Sequence, residues 1–184
     1  MTLSNYLKNT NGTSIVLADV TDYAPSAANA IGTRTVQIDL TSVGNNTARQ
    51  SDKFSFGATR APLWGISAVL EWPSAPTAGN VVNFWLALSH SSTAGYGNPG
   101  GVSGADSAYA GYSSNLSASL PQLMHIGTFR CTAQTLQIQR GFGEFTPLLQ
   151  YGTLIVENQS AVGFHTDAVE MAIALEPLDY PAEN

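Results

Sequence analysis

Residues 62–72 read PLWGISAVLEW, and residues 80–90 read NVVNFWLALSH. In both segments apolar and polar side chains alternate, which is the two-residue period of a strand with one buried face. Only residues 73–79, PSAPTAG, separate the two segments, and this run has the composition of a turn. The pattern therefore predicts a wide hairpin of two half-buried strands within a β-sandwich.

Similar alternation predicts further strands before and after this pair. The additional segments are residues 14–18, 35–41, 52–57, 122–131, 135–139, 151–157 and 166–176. No segment keeps a 3.6-residue period over a helical length, and no repeat of fixed period is present. We therefore predict an all-β fold, a two-sheet antiparallel β-sandwich of the jelly-roll type with eight or nine strands.

The length of 184 residues fits one sandwich domain that buries a core without disulfide bonds. We predict a short N-terminal arm at residues 1–12 and a single β-sandwich domain at residues 13–184. Within the arm, Leu3, Tyr6 and Leu7 have the spacing of one face of a short helix. The arm is too short to fold alone, so we expect it to contact another surface.

Charged residues make up only 11% of the chain, and the net charge is −6. In an ordinary soluble protein about a quarter of the residues are charged. Without a cluster of basic residues, nucleic-acid binding is disfavoured. No stretch approaches the roughly 18 apolar residues of a membrane span, and the N-terminus lacks the pattern of a secretion signal. We expect neither nucleic acid nor a membrane as a partner, and a neutral surface suited to contact with other subunits.

Residues 89–121, here called the tyrosine loop, have the most unusual composition. They contain six glycines, nine serines, three tyrosines and one charged residue, Asp106. Structureless loops of this length tend to be functional or disordered. Tyr96, Tyr109 and Tyr112 favour contact with another surface, because rigid amphipathic rings gain most there. A subunit interface and an ordered loop packed on its own domain are equal alternatives at this point.

Residue types that carry catalysis are few and scattered. Ser89 and His90 adjoin each other, but no Gly-x-Ser-x-Gly elbow surrounds the serine. His125 is interpreted as a partly buried structural imidazole that shares a strand face with Leu123 and Phe129. Nothing in this pattern favours nucleophilic catalysis, and we predict that the protein is not an enzyme.

Metal ligands are also scattered in the sequence. Cys131 is the only cysteine, so neither an internal disulfide nor a thiolate metal site can form. The three histidines lack paired spacing, and His165 is expected in a turn. The glutamates lie at strand ends or on outward faces, where solvated carboxylates are expected, and the aspartates near residue 20 fit turns better than a calcium site. We predict no metal and no cofactor.

Several segments resemble the virion structural proteins of tailed bacteriophages, and together they cover roughly residues 80–177. The segments that carry the resemblance are FWLALS at 84–89, AGYGNPGGVSGAD at 94–106, YAGYS at 109–113, QLMHIGTF at 122–129, FTP at 145–147, YG at 151–152 and DAVEM at 167–171. The first 60 residues carry no such motif. Some small jelly-roll proteins of similar virions act as capsid decoration, or cement, proteins.

The resemblance implies a virion component made in the cytoplasm of a host bacterium. With the neutral composition, it leads us to expect a decoration protein on the outer surface of the head, where a homotrimer would bridge subunits of the major capsid protein. Leu3, Tyr6 and Leu7 are the candidate capsid-contact residues, and Tyr96, Tyr109 and Tyr112 are the candidates for the subunit interface.

Two alternatives stay open. A carbohydrate-binding or receptor-binding module of a tail fibre or spike would use exposed tyrosines next to polar side chains such as Asn98 and Asp106. A hydrolase that uses His90 or a pair of acids is the third reading, because one fold can host unrelated chemistries.

Overall fold

The computed structural model describes residues 12–178, and these residues form two packed β-sheets. The first sheet contains, in spatial order, β2 (Val36–Gln37), β1 (Ile15–Ala18), β11 (Ala172–Pro177), β5 (Trp64–Glu71) and β9 (Leu136–Phe145). The second sheet contains β7 (Ser107–Tyr109), β3 (Thr47–Gln50), β10 (Tyr151–Gln159), β6 (Val81–Ser89) and β8 (Met124–Arg130). A short strand, β4 (Phe54–Ser55), also pairs with β10. The predicted all-β two-sheet sandwich is confirmed.

The strand pairs are nested, and this nesting defines a jelly roll. β1 pairs with β11, β3 and β4 pair with β10, β5 pairs with β9, and β6 pairs with β8. These antiparallel pairs alternate between the two sheets, as in a long hairpin that has been rolled up. The short strands β2 and β7 are additions at the sheet edges, and β1–β2 is the parallel pair.

The predicted hairpin of residues 62–72 and 80–90 is wrong, because β5 and β6 belong to different sheets. The turn between them crosses from one sheet to the other, so their apolar faces meet across the core instead of side by side. Trp64, Ile66 and Leu70 of β5 share one buried cluster with Phe84 and Leu86 of β6. Alternation identified both strands and their inward faces, but it holds no information about which strand pairs with which.

The core is rich in aromatic side chains that meet edge to face. The ring of Phe56 lies 5.0 Å from that of Trp64, and the ring of Trp72 lies 5.6 Å from that of Phe164. Such contacts add about 0.5–1.5 kcal/mol each to the burial of apolar area. The Trp72 indole N–H donates to the Ser160 hydroxyl at 2.9 Å, so this buried donor is satisfied.

The outer faces of the strands are less exposed than alternation predicts. Val69, expected on the solvent side of β5, is buried. It packs in a second apolar cluster, whose members are Val16, Ala18, Ile31, Val69, Ala172 and Ala174, with Tyr23 and Leu136 at its edge. The half-buried interpretation of β5 is therefore wrong, because the segment between β1 and β2 covers the outer face of the first sheet.

Candidate interaction surface

The tyrosine loop packs on its own domain. It covers the outer face of the second sheet, where a third apolar cluster forms from Ala48, Ala87, Val102, Tyr109, Leu120, Leu123 and Ile155, with Trp85 and Leu116 beside it. The loop is not structureless, because it contains β7 and the one-turn helix α1 (Leu116–Ser119), which is flanked by 3₁₀ turns at Tyr112–Ser114 and Leu120–Gln122. Of the two alternatives left open by the sequence, packing on the domain is confirmed for the loop as a whole.

Two glycines of this loop adopt backbone conformations and close contacts that a side chain would not allow. Gly104 and Gly111 have positive φ angles of 72° and 78°. A Cβ atom at Gly104 would overlap the carbonyl oxygen of Ala94, and one at Gly111 would overlap that of Asn115. Only glycine meets both demands without strain. The glycine-rich composition therefore reflects a tightly folded segment.

Lys53, just before β4, anchors the first part of the loop. Its ammonium group donates to the carbonyl oxygens of Ser91, Thr93 and Tyr96 at 3.1, 2.7 and 2.8 Å. The Ser89 hydroxyl lies 3.2 Å from the same nitrogen. Burial lowers the pKa of Lys53. The Lys53 ammonium group therefore exchanges bound water for oxygen atoms of the loop. These hydrogen bonds fix the backbone around Tyr96.

Asp106 anchors the second part. Its Oδ1 accepts from Arg49 Nε at 2.6 Å, and its Oδ2 accepts from the Asp39 N–H at 3.2 Å. The Asp106 N–H in turn donates to Asp52 Oδ1 at 2.8 Å. The hydrogen bond to Asp106 raises the pKa of Arg49. Asp106 was a candidate polar partner for a sugar, but its carboxylate is engaged inside the chain.

The three tyrosines of the loop have different environments. Tyr109 is only 3% exposed, and its hydroxyl donates to the Gly100 carbonyl at 2.7 Å. Tyr96 and Tyr112 are 69% and 71% exposed. Tyr109 therefore packs within its own chain and presents almost no surface, whereas Tyr96 and Tyr112 present nearly whole rings on a segment held by Lys53 and Asp106. The other candidate contacts, Leu3, Tyr6 and Leu7, lie outside the described residues.

Ser89 and His90 do not form a nucleophile–base pair within the part of the chain that the structure describes. The buried Ser89 hydroxyl donates to the Tyr96 carbonyl at 2.9 Å and accepts from the Ser91 N–H at 3.1 Å. The His90 side chain is exposed. Ser89 therefore helps Lys53 to fix the loop, which is a structural use of its hydroxyl.

The interpretation of His125 as partly buried is wrong, because a β-bulge changes its side of the sheet. Gly127 lies opposite Phe84 but His125 lies opposite Trp85, so one extra residue is inserted in β8. The exposed imidazole packs edge-on against Trp85 at 4.9 Å, and its Nε2 lies 3.0 Å from the Thr128 hydroxyl. The bulge separates the faces of His125 and Phe129, and no signal in the sequence marks it.

Glu157 was expected to be solvated but is buried on the outer face of the second sheet. Its Oε2 accepts from the Trp85 indole N–H at 3.2 Å and from the Asn83 amide at 3.1 Å. Its Oε1 accepts from the Gln159 amide at 2.6 Å. These three donors satisfy the carboxylate locally, so its role is structural.

The predicted turn role of Asp19 is confirmed, whereas Asp39 was predicted on a strand and instead lies after the end of β2. Asp19 Oδ1 accepts from the N–H groups of Thr21 and Asp22 at 2.7 and 2.9 Å, and Asp39 Oδ1 accepts from the Thr41 N–H at 2.8 Å. Burial opposes the ionisation of Asp19, but hydrogen bonds from Thr21, Gln37 and the turn backbone outweigh it and lower the pKa of Asp19 to about 2.

Two other surface features lie away from the tyrosines. An open groove of about 690 Å³ is lined by residues 12–15, 34–37 and 52–57 together with Thr59, and none of the three tyrosines contributes to it. At another site Glu71, His165 and Asp167 converge. No local sequence pattern marks this cluster, because Glu71 and the other two residues are far apart in the chain and meet only when β5 lies beside β11.

No helix within residues 12–178 is long and apolar enough to span a membrane. No protein-family model matches the sequence, and a search of curated proteins found no significant match.

Proposed function

We propose that this protein is a virion structural protein of a tailed bacteriophage, a decoration protein that binds the outer surface of the head and stabilises the lattice of the major capsid protein. One observation carries the proposal. Tyr96 and Tyr112 are 69% and 71% exposed on a loop that the domain itself holds in place. Preordered aromatic rings of this kind are typical anchors of protein interfaces, because little entropy is lost when they bind.

The distribution of charge supports the same proposal. Only 11% of the residues are charged, and several of them are engaged inside the domain. Lys53 holds loop carbonyls, while Arg49 pairs with Asp106. The remaining surface is rich in small neutral side chains, which carry little electrostatic repulsion against neighbouring subunits.

The mechanism in this proposal is thermodynamic. A protein that binds the expanded shell but not its precursor stabilises the shell by the free energy of binding. Each site contributes about 2.7 kcal/mol when the free protein is at a hundred times its dissociation constant. A homotrimer at a local threefold position would join several capsid subunits at once, and its linked contacts would raise the overall affinity. Summed over many copies, this energy opposes the outward pressure of packaged DNA.

The N-terminal arm, residues 1–12, is the second proposed contact. Leu3, Tyr6 and Leu7 would supply its apolar side chains to the capsid lattice. Deletion of residues 1–12 should weaken co-sedimentation with capsids if the arm contributes. Undiminished binding of the shortened protein would exclude the arm and leave the tyrosine loop as the contact.

The competing function is sugar or receptor binding by a tail-fibre module, and the same exposed tyrosines favour it. The polar side chains that such a site needs are engaged within the chain. Asp106 is bound to Arg49, and the Asn98 amide donates to the carbonyls of Ala94 and Val102 at 2.6 and 2.9 Å. A glycan array on which the protein binds no sugar would dismiss this alternative.

The proposal is tested by adding purified protein to heads of the phage that carries the gene, prepared without this protein. We expect saturable co-sedimentation, and the variant with both Tyr96→Ser and Tyr112→Ser should bind about 30-fold more weakly, since two aromatic anchors contribute roughly 2 kcal/mol or more. Leu148→Ser is the matched control, because Leu148 is 66% exposed but lies outside the loop. Binding that is absent, or equal in all variants, would contradict the proposal.

A further inference from the structure

Glu71, His165 and Asp167, here called the carboxylate–imidazole cluster, meet where β5 ends beside the segment that joins β10 to β11. The His165 N–H donates to the Glu71 carbonyl at 2.9 Å, and the His165 carbonyl accepts from the Ser42 N–H at 2.9 Å. Phe164 is buried just before His165, as is Ala168 just after Asp167. The backbone on both sides of the cluster is therefore fixed to the core.

The side chains converge with a spacing that suits a metal ion. Each residue offers one ligand atom, and the three atoms all lie within 4.8 Å of one another. His165 Nδ1 lies 3.2 Å from Asp167 Oδ2. Ligands around a tetrahedral zinc ion at about 2.0–2.1 Å are separated by roughly 3.3 Å, so one pair already has the required distance. All three residues are half-buried, so each remains in contact with solvent.

No lysine or arginine within residues 12–178 forms an ion pair with the carboxylates of the cluster. The ion pairs that arginine forms there join Arg49 to Asp39 and to Asp106. Half-buried carboxylates that repel one another are costly unless a cation joins them.

We propose that Glu71, His165 and Asp167 bind one divalent transition-metal ion, with water completing its coordination. One imidazole nitrogen and two carboxylate oxygens form a mixed ligand set that suits zinc and its neighbours in the first transition series. Calcium instead takes six to eight oxygen ligands, which these three residues do not supply. The bound ion would fasten the segment before β11 to the end of β5, and this role is independent of the proposed function in the virion.

The test uses the full-length protein, freed of metal with a chelator and then dialysed, with zinc chloride as the probe. Isothermal titration calorimetry should show one ion per chain, and thermal unfolding should shift to higher temperature when zinc is added. Glu71→Gln and His165→Asn should each weaken binding at least tenfold. Far-UV circular dichroism will establish that the variants are folded.

Matched controls separate this site from adventitious binding to surface groups. Glu144→Gln and His90→Asn change an exposed carboxylate and an exposed imidazole elsewhere, and both should bind zinc like the wild type. Absence of saturable zinc binding by the wild type would overturn the proposal. Binding that survives in Glu71→Gln and His165→Asn, or that is tighter for calcium than for zinc, would also overturn it.

Discussion

The ammonium nitrogen of Lys53 lies 2.8 Å from the carbonyl oxygen of Tyr96. This hydrogen bond connects a residue at the edge of the second sheet to the backbone of one of the two most exposed aromatic residues among those described. Together with the bonds to Ser91 and Thr93, it makes Lys53 a support for the surface that we assign to partner binding.

Replacement of Lys53 by methionine should loosen the start of the tyrosine loop. The variant loses the charged donor that bonds three loop carbonyls and the Ser89 hydroxyl. We expect the free energy of unfolding to fall by about 2 kcal/mol, because part of the loss is recovered when water solvates the freed oxygens. Amide hydrogen exchange over residues 91–97 should accelerate by roughly tenfold or more. Arg140→Met, at an exposed position on β9, is the control and should leave this exchange unchanged. Unaltered exchange in Lys53→Met would show that the lysine does not hold the loop.

Arg49 and Asp106 should be energetically coupled. Their side chains are 23% and 12% exposed and meet at 2.6 Å, so solvent screens the pair only in part. A double-mutant cycle with Arg49→Gln and Asp106→Asn, measured by urea unfolding, should give a coupling energy of about 1–2 kcal/mol. Additivity of the two single effects to within roughly 0.3 kcal/mol would mean that Asp106 does not anchor the loop through Arg49.

Asp19 should make stability depend on pH in the acid range. Its pKa is about 2 in the folded protein and 3.8 in its unperturbed form. Because the folded value is the lower one, the ionised carboxylate stabilises the fold above about pH 4, and this contribution is lost as the pH falls through 2. Asp19→Asn should lower the free energy of unfolding by up to about 2 kcal/mol at pH 7 and by clearly less at pH 2.5.

Urea unfolding at the two pH values measures this difference. Asp22→Asn is the control, because the Asp22 carboxylate in the same turn accepts a bond from the Thr21 hydroxyl and not from the turn backbone. Its cost at pH 7 should be less than half that of Asp19→Asn. An Asp19→Asn cost that is the same at both pH values would contradict the assignment.

Cys131 should be chemically inert in the native protein. Its side chain is 3% exposed, and burial raises the pKa of the thiol to about 11. The reactive thiolate is therefore scarce at neutral pH and shielded from reagents. A chromogenic disulfide reagent at pH 8 should label one thiol per chain in urea and almost none in buffer. Rapid labelling in buffer would show that the end of β8 opens readily.

The alternation of apolar and polar residues predicted most of the strands, but it did not predict which strands pair with each other. Alternation in residues 80–90 placed Val82, Phe84 and Leu86 correctly on the inner face of β6. Pairing depends on contacts between distant segments, so β5 was assigned to the wrong neighbour. β3 and β7 were missed, because strands of four and three residues are too short to show a period.

The sites were predictable only where a local signal existed. An unusual composition marked the loop and its three tyrosines alike, and it did not separate the exposed Tyr96 and Tyr112 from the buried Tyr109. The burial of Tyr109 follows from the pairing of β7 with β3, which places this ring over Ile155 and Ala48. The cluster of Glu71 with His165 and Asp167 has no local signal, because the distance between its members is set by the order of strands in the first sheet.

Electron cryomicroscopy of intact phage particles produced with and without this gene would locate the protein on the virion. We predict density on the outer surface of the head that is present only with the gene, lies at local threefold positions, and fits a trimer of the jelly roll with Tyr96 and Tyr112 at its contacts. Extra density confined to the tail, or identical particles in both preparations, would contradict the account.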